Sequence, residues 1–190
     1  MFQRALLSSR TAFVRSSGFQ STRSSLSAGL QIYDMETPKP WHAAYPAPRN
    51  AGPDGLTSSQ VLDLLRQRAE DEARGRKSNF VLVDLRRNDH QGGTIRGSIN
   101  LPAQSLYPSI PQLYDLFRAA GVQTVIWYCG SSKGRGTRAA GWFQDHIQDR
   151  QDHEMQSVIL SGGIKGWVAS GDEYVAFMDG FDAAEWEQQQ

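Results

Sequence analysis

The fold of this chain is decided by one stretch of its sequence, Thr124-Val125-Ile126-Trp127-Tyr128-Cys129-Gly130-Ser131-Ser132-Lys133-Gly134-Arg135-Gly136. Its first five residues are β-branched or aromatic, which is typical of a strand buried on both faces of a parallel sheet. The small residues that come next predict a tight loop. A helix should follow the loop, because Ala139, Phe143 and Ile147 recur at intervals of four residues. A strand, a loop and a helix in this order predict an α/β fold.

Chemistry is expected at Cys129, the single cysteine of the chain, which directly follows this strand. In open parallel sheets, ligands bind beyond the carboxyl ends of the strands. The Gly and Ser residues before Arg135 let successive amides point toward one anion, assisted by the dipole of the following helix. These amides and the planar guanidinium would stabilise a thiolate and hold phosphate, arsenate or sulfate. We predict that Cys129 is a nucleophile facing an oxyanion; the alternative is a small buried core residue.

The rest of the loop is predicted to bind the oxyanion, and three nearby residues to support it. The loop residues are Gly130, Ser131, Ser132, Lys133, Gly134 and Gly136, and the supporting residues are Asp84, Arg86 and Arg138, with Lys133 and Arg138 facing either the site or the solvent. Ser131 and Ser132 would donate hydrogen bonds to an oxyanion or to the sulfur, or serve only as turn formers. Asp84, at the end of another predicted strand, is expected to brace the loop, to pair with an arginine, or only to cap the strand end. Asp89 and His90 are candidate proton donors or ordinary exposed turn residues.

Strands and helices alternate through the rest of the chain. Thr57 and Gln60 have the spacing of a capping box at the start of a helix. The other predicted elements are strands at residues 80–83, 99–102 and 158–160, a helix over residues 109–121 and a short terminal helix over residues 164–169. This alternation predicts an α/β sandwich with a mostly parallel sheet.

Composition limits the class of protein. The chain has 190 residues, of which 39% are hydrophobic, enough for one core of ordinary size. No apolar run approaches the roughly 18 residues that a membrane span needs, and no Cys/His cluster has the spacing of a structural zinc site. Beyond residue 33 the chain carries 16 basic and 20 acidic residues. This negative charge argues against nucleic acid as a partner.

Residues 1–33 have the composition of a targeting segment. They contain four arginines and no acidic residue, with hydrophobic residues at roughly helical spacing. We predict a mitochondrial transit peptide here, and hence a mitochondrial location. The alternative is a disordered Ser/Arg-rich tail on a protein of the cytoplasm or nucleus.

Two further segments flank the predicted catalytic domain, residues 56–172. In residues 34–55, four prolines within the eleven positions 38–48 argue against a helix or a central strand, so this lead-in is predicted to be extended. Its Trp41 and Tyr45 would pin the segment onto the domain or line the mouth of the site. Residues 173–190 are predicted to be a C-terminal tail with a short peripheral helix.

Three other stretches, together with the Cys129 loop, resemble the rhodanese superfamily across roughly residues 57–170. They are Val83-Asp84-Leu85-Arg86, Gly93-Thr94-Ile95-Arg96-Gly97-Ser98-Ile99-Asn100-Leu101-Pro102 and Leu160-Ser161-Gly162-Gly163-Ile164-Lys165-Gly166-Trp167. The resemblance implies a single rhodanese-like domain, with a mostly parallel central sheet flanked by helices on both faces. The chain departs from its relatives at Thr94 and Tyr128, where those proteins usually have His.

The length of the Cys129 loop points to one branch of the superfamily. The loop from Cys129 to Arg135 counts seven residues, the pattern Cys-x5-Arg. It resembles the loop of the cell-cycle dual-specificity phosphatases and, through Ser132-Lys133-Gly134-Arg135-Gly136, that of the eukaryotic arsenate reductases. A longer loop leaves room for a tetrahedral oxyanion, whereas the shorter loop of the sulfurtransferases closes around a persulfide. The acidic loop residue of the cell-cycle phosphatases is absent here.

The resemblance implies a phosphatase or an arsenate reductase whose Cys129 thiolate attacks phosphorus or arsenic. Its substrate would be a small oxyanion or a phosphorylated protein, and no bound cofactor is expected. An arsenate reductase would need an external thiol, glutathione or a glutaredoxin, because the chain has no second cysteine. The alternatives are a sulfurtransferase that carries a Cys129 persulfide and a non-catalytic binding module of the same fold.

Overall fold

The chain forms a sheet with helices packed around it, and a computed structural model describes residues 39–188. The predictions for residues 1–33 lie outside the described residues. The strands are β1 (Gly55–Leu56), β2 (Phe80–Asp84), β3 (Thr94–Ile95), β4 (Ile99–Asn100), β5 (Thr124–Tyr128), β6 (Gln156–Leu160) and β7 (Met178–Asp179). The α-helices are α1 (Ser58–Ala73), α2 (Ile110–Ala119), α3 (Arg135–Asp149), α4 (Gly163–Ala169), α5 (Asp172–Val175) and α6 (Ala183–Glu187). Short 3₁₀ turns cover Trp41–Ala44, Ala103–Ser105 and Tyr107–Ser109.

The main sheet is parallel throughout, with its five strands in the order β1-β6-β5-β2-β4. The central place of β5 agrees with its composition, because Val125, Ile126, Trp127 and Tyr128 are all fully buried. The strands β3 and β7 form a separate antiparallel pair. The prediction of an α/β fold with a mostly parallel sheet is confirmed.

Helices cover both faces of the sheet, and successive side chains of β5 point to opposite faces. Trp127 and Cys129 pack in the core cluster that α2 and α3 close. Ile126 and Tyr128 pack in the opposite cluster, which α1 and α4 close. The prediction of helices on both faces is confirmed, and Cys129 and Tyr128 belong to different cores. Within residues 39–188, no helix has both the length and the apolar character of a membrane span.

Local sequence signals set the start of α1. Thr57 Oγ1 accepts from the Gln60 amide at 3.3 Å, and Gln60 Oε1 accepts from the Thr57 amide at 2.9 Å. This reciprocal pair is the predicted capping box, and it satisfies two amides that the first turn of a helix leaves without partners. The helix then buries one apolar face against the sheet, through Val61, Leu62 and Leu65.

The lead-in is less extended than predicted for residues 34–55. Trp41–Ala44 forms a 3₁₀ turn with Pro40 at its N-cap, a position where the missing N–H of proline costs no helical hydrogen bond. Gly55 starts the edge strand β1, which pairs with β6. A strand of two residues is too short to show any periodicity, so the sequence did not predict it.

The aromatic residues of the lead-in pack onto α3. The rings of Trp41 and Tyr45 meet the ring of Trp142 edge-on, with centroids 6.2 and 5.8 Å apart. Trp142 Nε1 also donates to the carbonyl oxygen of Pro46 at 2.7 Å. These contacts hold the segment on the surface of the domain.

The segment after α4 folds back onto the domain. Its strand β7 pairs with β3, and its helix α6 places Trp186 in a buried position. Trp186 Nε1 donates to the carbonyl oxygen of Gly92 at 2.7 Å. The predicted helix over residues 164–169 is therefore not the last element of the chain. The sequence did not predict α5 or β7, because each is too short to carry a pattern.

Candidate active site

Cys129 lies at the carboxyl end of β5, and α4 fixes its backbone. The carbonyl oxygen of Cys129 accepts from the Ile164 amide at 3.0 Å, and that of Gly130 accepts from the Lys165 amide at 2.9 Å. The close approach requires glycine at position 163, because a Cβ there would lie 2.4 Å from the Cys129 oxygen. The Gly-Gly motif that follows β6 thus holds the start of the Cys129 loop.

The loop is curled around Ser132. This residue has a φ of +59°, which is uncommon for a residue other than glycine, and its side chain is buried. Its carbonyl oxygen accepts from both the amide and the hydroxyl of Thr137, at 3.2 and 2.7 Å. Gly136 makes room for the curl, since a Cβ there would lie 3.0 Å from Ser132 Cβ. Ser132 and Gly136 are therefore the buried residues that set the curvature of the loop. Ser131, Lys133 and Gly134 lie exposed at its rim.

The loop offers a set of backbone donors. Among residues 39–188, no group accepts a hydrogen bond from the amides of residues 130–136. The last of these amides begin α3, whose N-terminus carries the positive end of the helix dipole. Unpaired amides on a curled loop at a helix start form an anion-binding site. The loop predicted from the sequence is thus assembled around Cys129.

Arg135 connects the loop to Asp89. Arg135 Nη1 donates to Asp89 Oδ1 at 2.8 Å, and Arg135 Nη2 donates to Asp89 Oδ2. The paired guanidinium holds the pKa of the Asp89 carboxyl well below its usual range. The Asp89 carboxylate in turn raises the pKa of Arg135, and the nearby Cys129 sulfur adds to that effect. Cys129, Arg135 and Asp89 therefore share one site.

Asp84 and Arg86 form a buried ion pair that shapes this edge of the sheet. Asp84 accepts from Arg86 Nε at 3.0 Å and from Arg86 Nη2 at 2.7 Å, and neither side chain is more than 2% exposed. Arg86 also donates to the carbonyl oxygens of Asp89, Gln91 and Gly93, at 3.3, 3.2 and 2.6 Å. Asp84 thus pairs with an arginine, one of its three predicted roles, and Arg86 organises the turn that presents Asp89.

Tyr128 joins the same network from the opposite face of the sheet. Its hydroxyl lies 2.7 Å from Thr94 Oγ1 and 2.8 Å from Ser98 Oγ, and it accepts from the Ile95 amide at 3.2 Å. Thr94 Oγ1 donates to Asp84 Oδ2 at 3.0 Å. Burial, reinforced by the charge of Asp84, raises the pKa of Tyr128 above its ordinary value. Tyr128 therefore remains a neutral phenol that ties the backbone beside Cys129 to β3.

Two of the proposed polar residues lie aside from the loop. Arg138 is half-buried, and its Nη2 lies 3.4 Å from His42 Nε2 in the lead-in. His90 Nε2 lies 3.4 Å from Asp84 Oδ2. The sequence named Asp89 only as a candidate proton donor and did not reveal its pairing with Arg135. The available signal was its place in the loop after β2, at the same sheet edge as Cys129.

A separate cavity of about 410 Å³ does not belong to this site. Its walls include Pro46, Tyr107, Trp142 and His146, and none of the residues 129–136 lines it. The candidate active site is instead an open cradle, formed by residues 129–136 at the edge of the sheet.

Comparisons with known proteins agree with the fold. A family model described as the Rhodanese-like domain matches residues 63–170, a range that includes Asp84, Asp89 and the Cys129 loop. Arsenical-resistance protein 2 of Saccharomyces cerevisiae is 29% identical over 119 residues, which cover 59% of this chain and 85% of that protein.

Two solved structures are similar in fold. The As-Sb reductase from Leishmania major has a TM-score of 0.54 and 18% identity, over 63% of this chain and 79% of that one. A yeast protein tyrosine phosphatase of the Rhodanese family has a TM-score of 0.54 and 22% identity, over 70% of this chain and 96% of that one. Because both identities are below 25%, these similarities show a shared fold and nothing about activity.

Proposed function

The chain belongs to the rhodanese-like domain family, and from this premise we propose that it is a cysteine-dependent arsenate reductase. The observation that carries the proposal is the cradle itself. Cys129 lies at the end of β5, followed by amides without partners among residues 39–188 and by the guanidinium of Arg135. Such a cradle stabilises a thiolate and binds a tetrahedral oxyanion by its charge and its oxygens.

The name of a protein with a similar sequence favours arsenate over a phosphate ester as the substrate. A curated protein whose similarity covers 59% of this chain is named for arsenical resistance. The loop from Cys129 to Arg135 also has the seven-residue length that leaves room for four oxygens around a central atom.

The reaction requires two electrons, which thiols supply. The Cys129 thiolate forms a bond to arsenic while one As–O bond breaks, and that oxygen leaves as water after protonation. An external thiol then attacks the Cys129 sulfur, so that an S–S bond forms and the S–As pair of electrons stays on arsenic as arsenite. A second external thiol reduces the mixed disulfide and restores Cys129. Arsenate and two thiols thus give arsenite, a disulfide and water.

Each residue of the cradle has a defined part in this scheme. The amides of residues 130–136 hold the non-bridging oxygens, whose negative charge grows as sulfur attacks. Arg135 holds two of these oxygens in the plane of its guanidinium. The thiol donor must come from outside, because Cys129 is the single cysteine of the chain. We propose glutathione for this role, with a glutaredoxin for the second reduction.

Hydrolysis of a phosphate ester is the second candidate function. Phosphate and arsenate share their tetrahedral shape and their charge, and the amides and Arg135 recognise only these properties. A phosphatase would release the phosphoryl group from Cys129 to water rather than to a thiol.

One set of assays on the purified chain separates the candidates. We expect arsenite to form from arsenate and glutathione, and the rate to rise when glutaredoxin is added. Cys129→Ser should abolish this activity in a protein that still unfolds cooperatively, because serine preserves the shape of the side chain but lacks the thiol. Hydrolysis of a small aryl phosphate without arsenate reduction would favour the phosphatase. Sulfur transfer from thiosulfate to cyanide as the sole activity would contradict both.

We also propose that residues 1–33 direct import into mitochondria. The support is their charge, with arginine at positions 4, 10, 15 and 23 and no acidic residue. A fluorescent reporter fused to residues 1–33 should enter mitochondria, and the same fusion with all four arginines changed to glutamine should not. A cytosolic signal from the unchanged fusion would contradict the proposal.

A further inference from the structure

The guanidinium that an oxyanion needs is already engaged by a carboxylate. Arg135 Nη1 and Nη2 each donate to a different oxygen of Asp89, the paired geometry that Arg135 would use on arsenate. We propose that Asp89 is a built-in competitor for the substrate, so that an oxyanion binds Arg135 only by replacing the Asp89 carboxylate. This inference rests on the proposed oxyanion site and goes beyond it by naming a residue that sets its selectivity.

The placement of Asp89 is built into the fold. Buried Arg86 donates to the carbonyl oxygens of Asp89, Gln91 and Gly93, which fixes the path of the turn. Asp89 Oδ1 also accepts from the amide of Arg87 at 3.1 Å, which orients the carboxylate within that turn. Ordinary surface ion pairs lack such support. The carboxylate is therefore presented to Arg135 by a rigid element anchored in the core.

The far edge of the turn is held as well. The Gly92 carbonyl oxygen accepts from Trp186 Nε1 at 2.7 Å, and Trp186 is buried. A Cβ at Gly93 would lie 2.8 Å from the backbone of Asp179 and Gly180, so the turn is packed closely on the strand β7. The C-terminal segment thus contributes to the position of Asp89 in the active site.

Charge and geometry set the oxyanion and the Asp89 carboxylate in competition. An oxyanion in the loop would place its negative oxygens next to the Asp89 carboxylate, and like charges in contact repel. Asp89 occupies the end of the Arg135 guanidinium formed by Nη1 and Nη2, so an oxyanion takes this paired position only when the carboxylate leaves it. The group that binds must therefore offer two adjacent oxygens and more charge than a carboxylate. Dianionic tetrahedral oxyanions meet this condition, and singly charged anions do not.

The single cysteine provides a direct measurement of this competition. Iodoacetate carries a single carboxylate, which Arg135 attracts toward Cys129 only when Asp89 does not hold the guanidinium, whereas iodoacetamide is neutral. The ratio of the two alkylation rates therefore reports how available Arg135 is to an anion. Inorganic phosphate, added to the same reaction, protects Cys129 at a concentration that reports the affinity for an oxyanion.

The variant is Asp89→Asn, and its matched control is Asp115→Asn. Asp115 lies on α2 and pairs with Arg150 beyond the far end of α3, so the control removes the same charge at a distance from the loop. We expect Asp89→Asn to raise the iodoacetate-to-iodoacetamide ratio about five-fold and to lower the protecting phosphate concentration about five-fold, the scale of one exposed ion pair. Asp115→Asn should change either value less than two-fold.

The outcomes separate this inference from the proposed function. An unchanged ratio, or weaker protection by phosphate, in Asp89→Asn would overturn the competition even if the protein reduces arsenate. A raised ratio in a protein that reduces no arsenate would sustain the competition and overturn the proposed function. Asp89→Ser repeats the loss of charge with a smaller side chain, and Asp89→Glu, which retains a carboxylate, should keep the wild-type ratio. If Asp89→Ser and Asp89→Glu raise the alkylation ratio equally, the cause is a disturbed turn rather than the lost charge. That result would overturn the competition.

Discussion

The hydroxyl groups of Tyr128 and Thr94 lie 2.7 Å apart. The sequence resemblance predicts His at both positions, and the fold brings the two residues that replace it into direct contact. Thr94 Oγ1 in turn donates a hydrogen bond to the buried carboxylate of Asp84. Tyr128, which precedes Cys129, is therefore connected through Thr94 to Asp84, the ion-pair partner of Arg86.

Removal of the Tyr128 hydroxyl should lower the stability of the domain. Tyr128→Phe leaves the Ile95 amide, which is buried, without its acceptor. An unsatisfied buried group costs about 1–3 kcal/mol, and we expect a loss of this size in denaturant-induced unfolding. Tyr107→Phe is the matched control, because the Tyr107 hydroxyl has no hydrogen bond to any of residues 39–188, and it should change stability by about 0.5 kcal/mol or less. Equal losses in the two variants would contradict the role of the Tyr128 hydroxyl.

Replacement of Arg135 by lysine should reduce catalysis while the charge is kept. Arg135→Lys loses the planar pair of donors, and one lost donor to a developing oxyanion costs about 100-fold in rate. We expect kcat/KM for arsenate to fall by about that factor. Arg150→Lys is the control, since Arg150 follows the C-terminus of the same helix and pairs with Asp115. A lysine at position 135 that supports the wild-type rate would exclude paired recognition of the oxyanion.

A methyl group at Gly163 should disturb the Cys129 loop. Its φ of +61° disfavours other residues, and a Cβ would lie 2.4 Å from the Cys129 carbonyl oxygen. Gly180→Ala is the control, because Gly180 has a similar φ of +64° and nothing within 4 Å of a new Cβ. The control should lose about 1–2 kcal/mol from backbone strain, and Gly163→Ala about 1–3 kcal/mol more from overpacking.

Gly163→Ala and Gly180→Ala should also differ in activity. Only Gly163→Ala is expected to lower the rate of Cys129 alkylation and of arsenate reduction, because only it displaces the loop backbone. Full activity in Gly163→Ala would show that the contact between α4 and the loop does not position the nucleophile.

His146 should make stability fall between pH 7 and pH 5. Burial, followed by the positive charge of Arg150, lowers the pKa of His146. The unfolded chain, with a histidine pKa of about 6.5, then binds a proton at a higher pH than the folded chain. The stability that the neutral His146 contributes is therefore fully present above the unfolded pKa of about 6.5. It is lost as the pH falls toward the lower pKa of the folded chain.

The measurement is the free energy of unfolding at pH 7 and pH 5. His146→Gln should lose less stability over this interval than the wild type, whatever its stability at pH 7. His153→Gln is the control, because His153 is exposed, and it should follow the wild type. An equal loss in all three proteins would assign the pH dependence to carboxylates alone.

Contiguous parts of the site were predictable from the sequence. Residues 124–136 contain a buried strand, a loop of small residues and a helix start, so Cys129 and Arg135 share one cradle through local chain geometry. The capping box of Thr57 and Gln60 was predictable for the same reason. Short elements such as β1, β7 and the 3₁₀ turn at Trp41–Ala44 were not, because they depend on partners rather than on a pattern.

The sequence by itself determined the strand, the loop and the arginine around Cys129, because these residues are joined by a few consecutive backbone torsions. Tertiary structure alone decided that Arg135 pairs with Asp89, 46 residues earlier, and that Tyr128 meets Thr94, 34 residues earlier. The parallel order of β5 beside β2 brings both partners to one sheet edge. Charges and hydroxyls along the chain do not specify their partners, since a hydrogen bond or ion pair needs only proximity and orientation, which the packing of the whole sheet supplies.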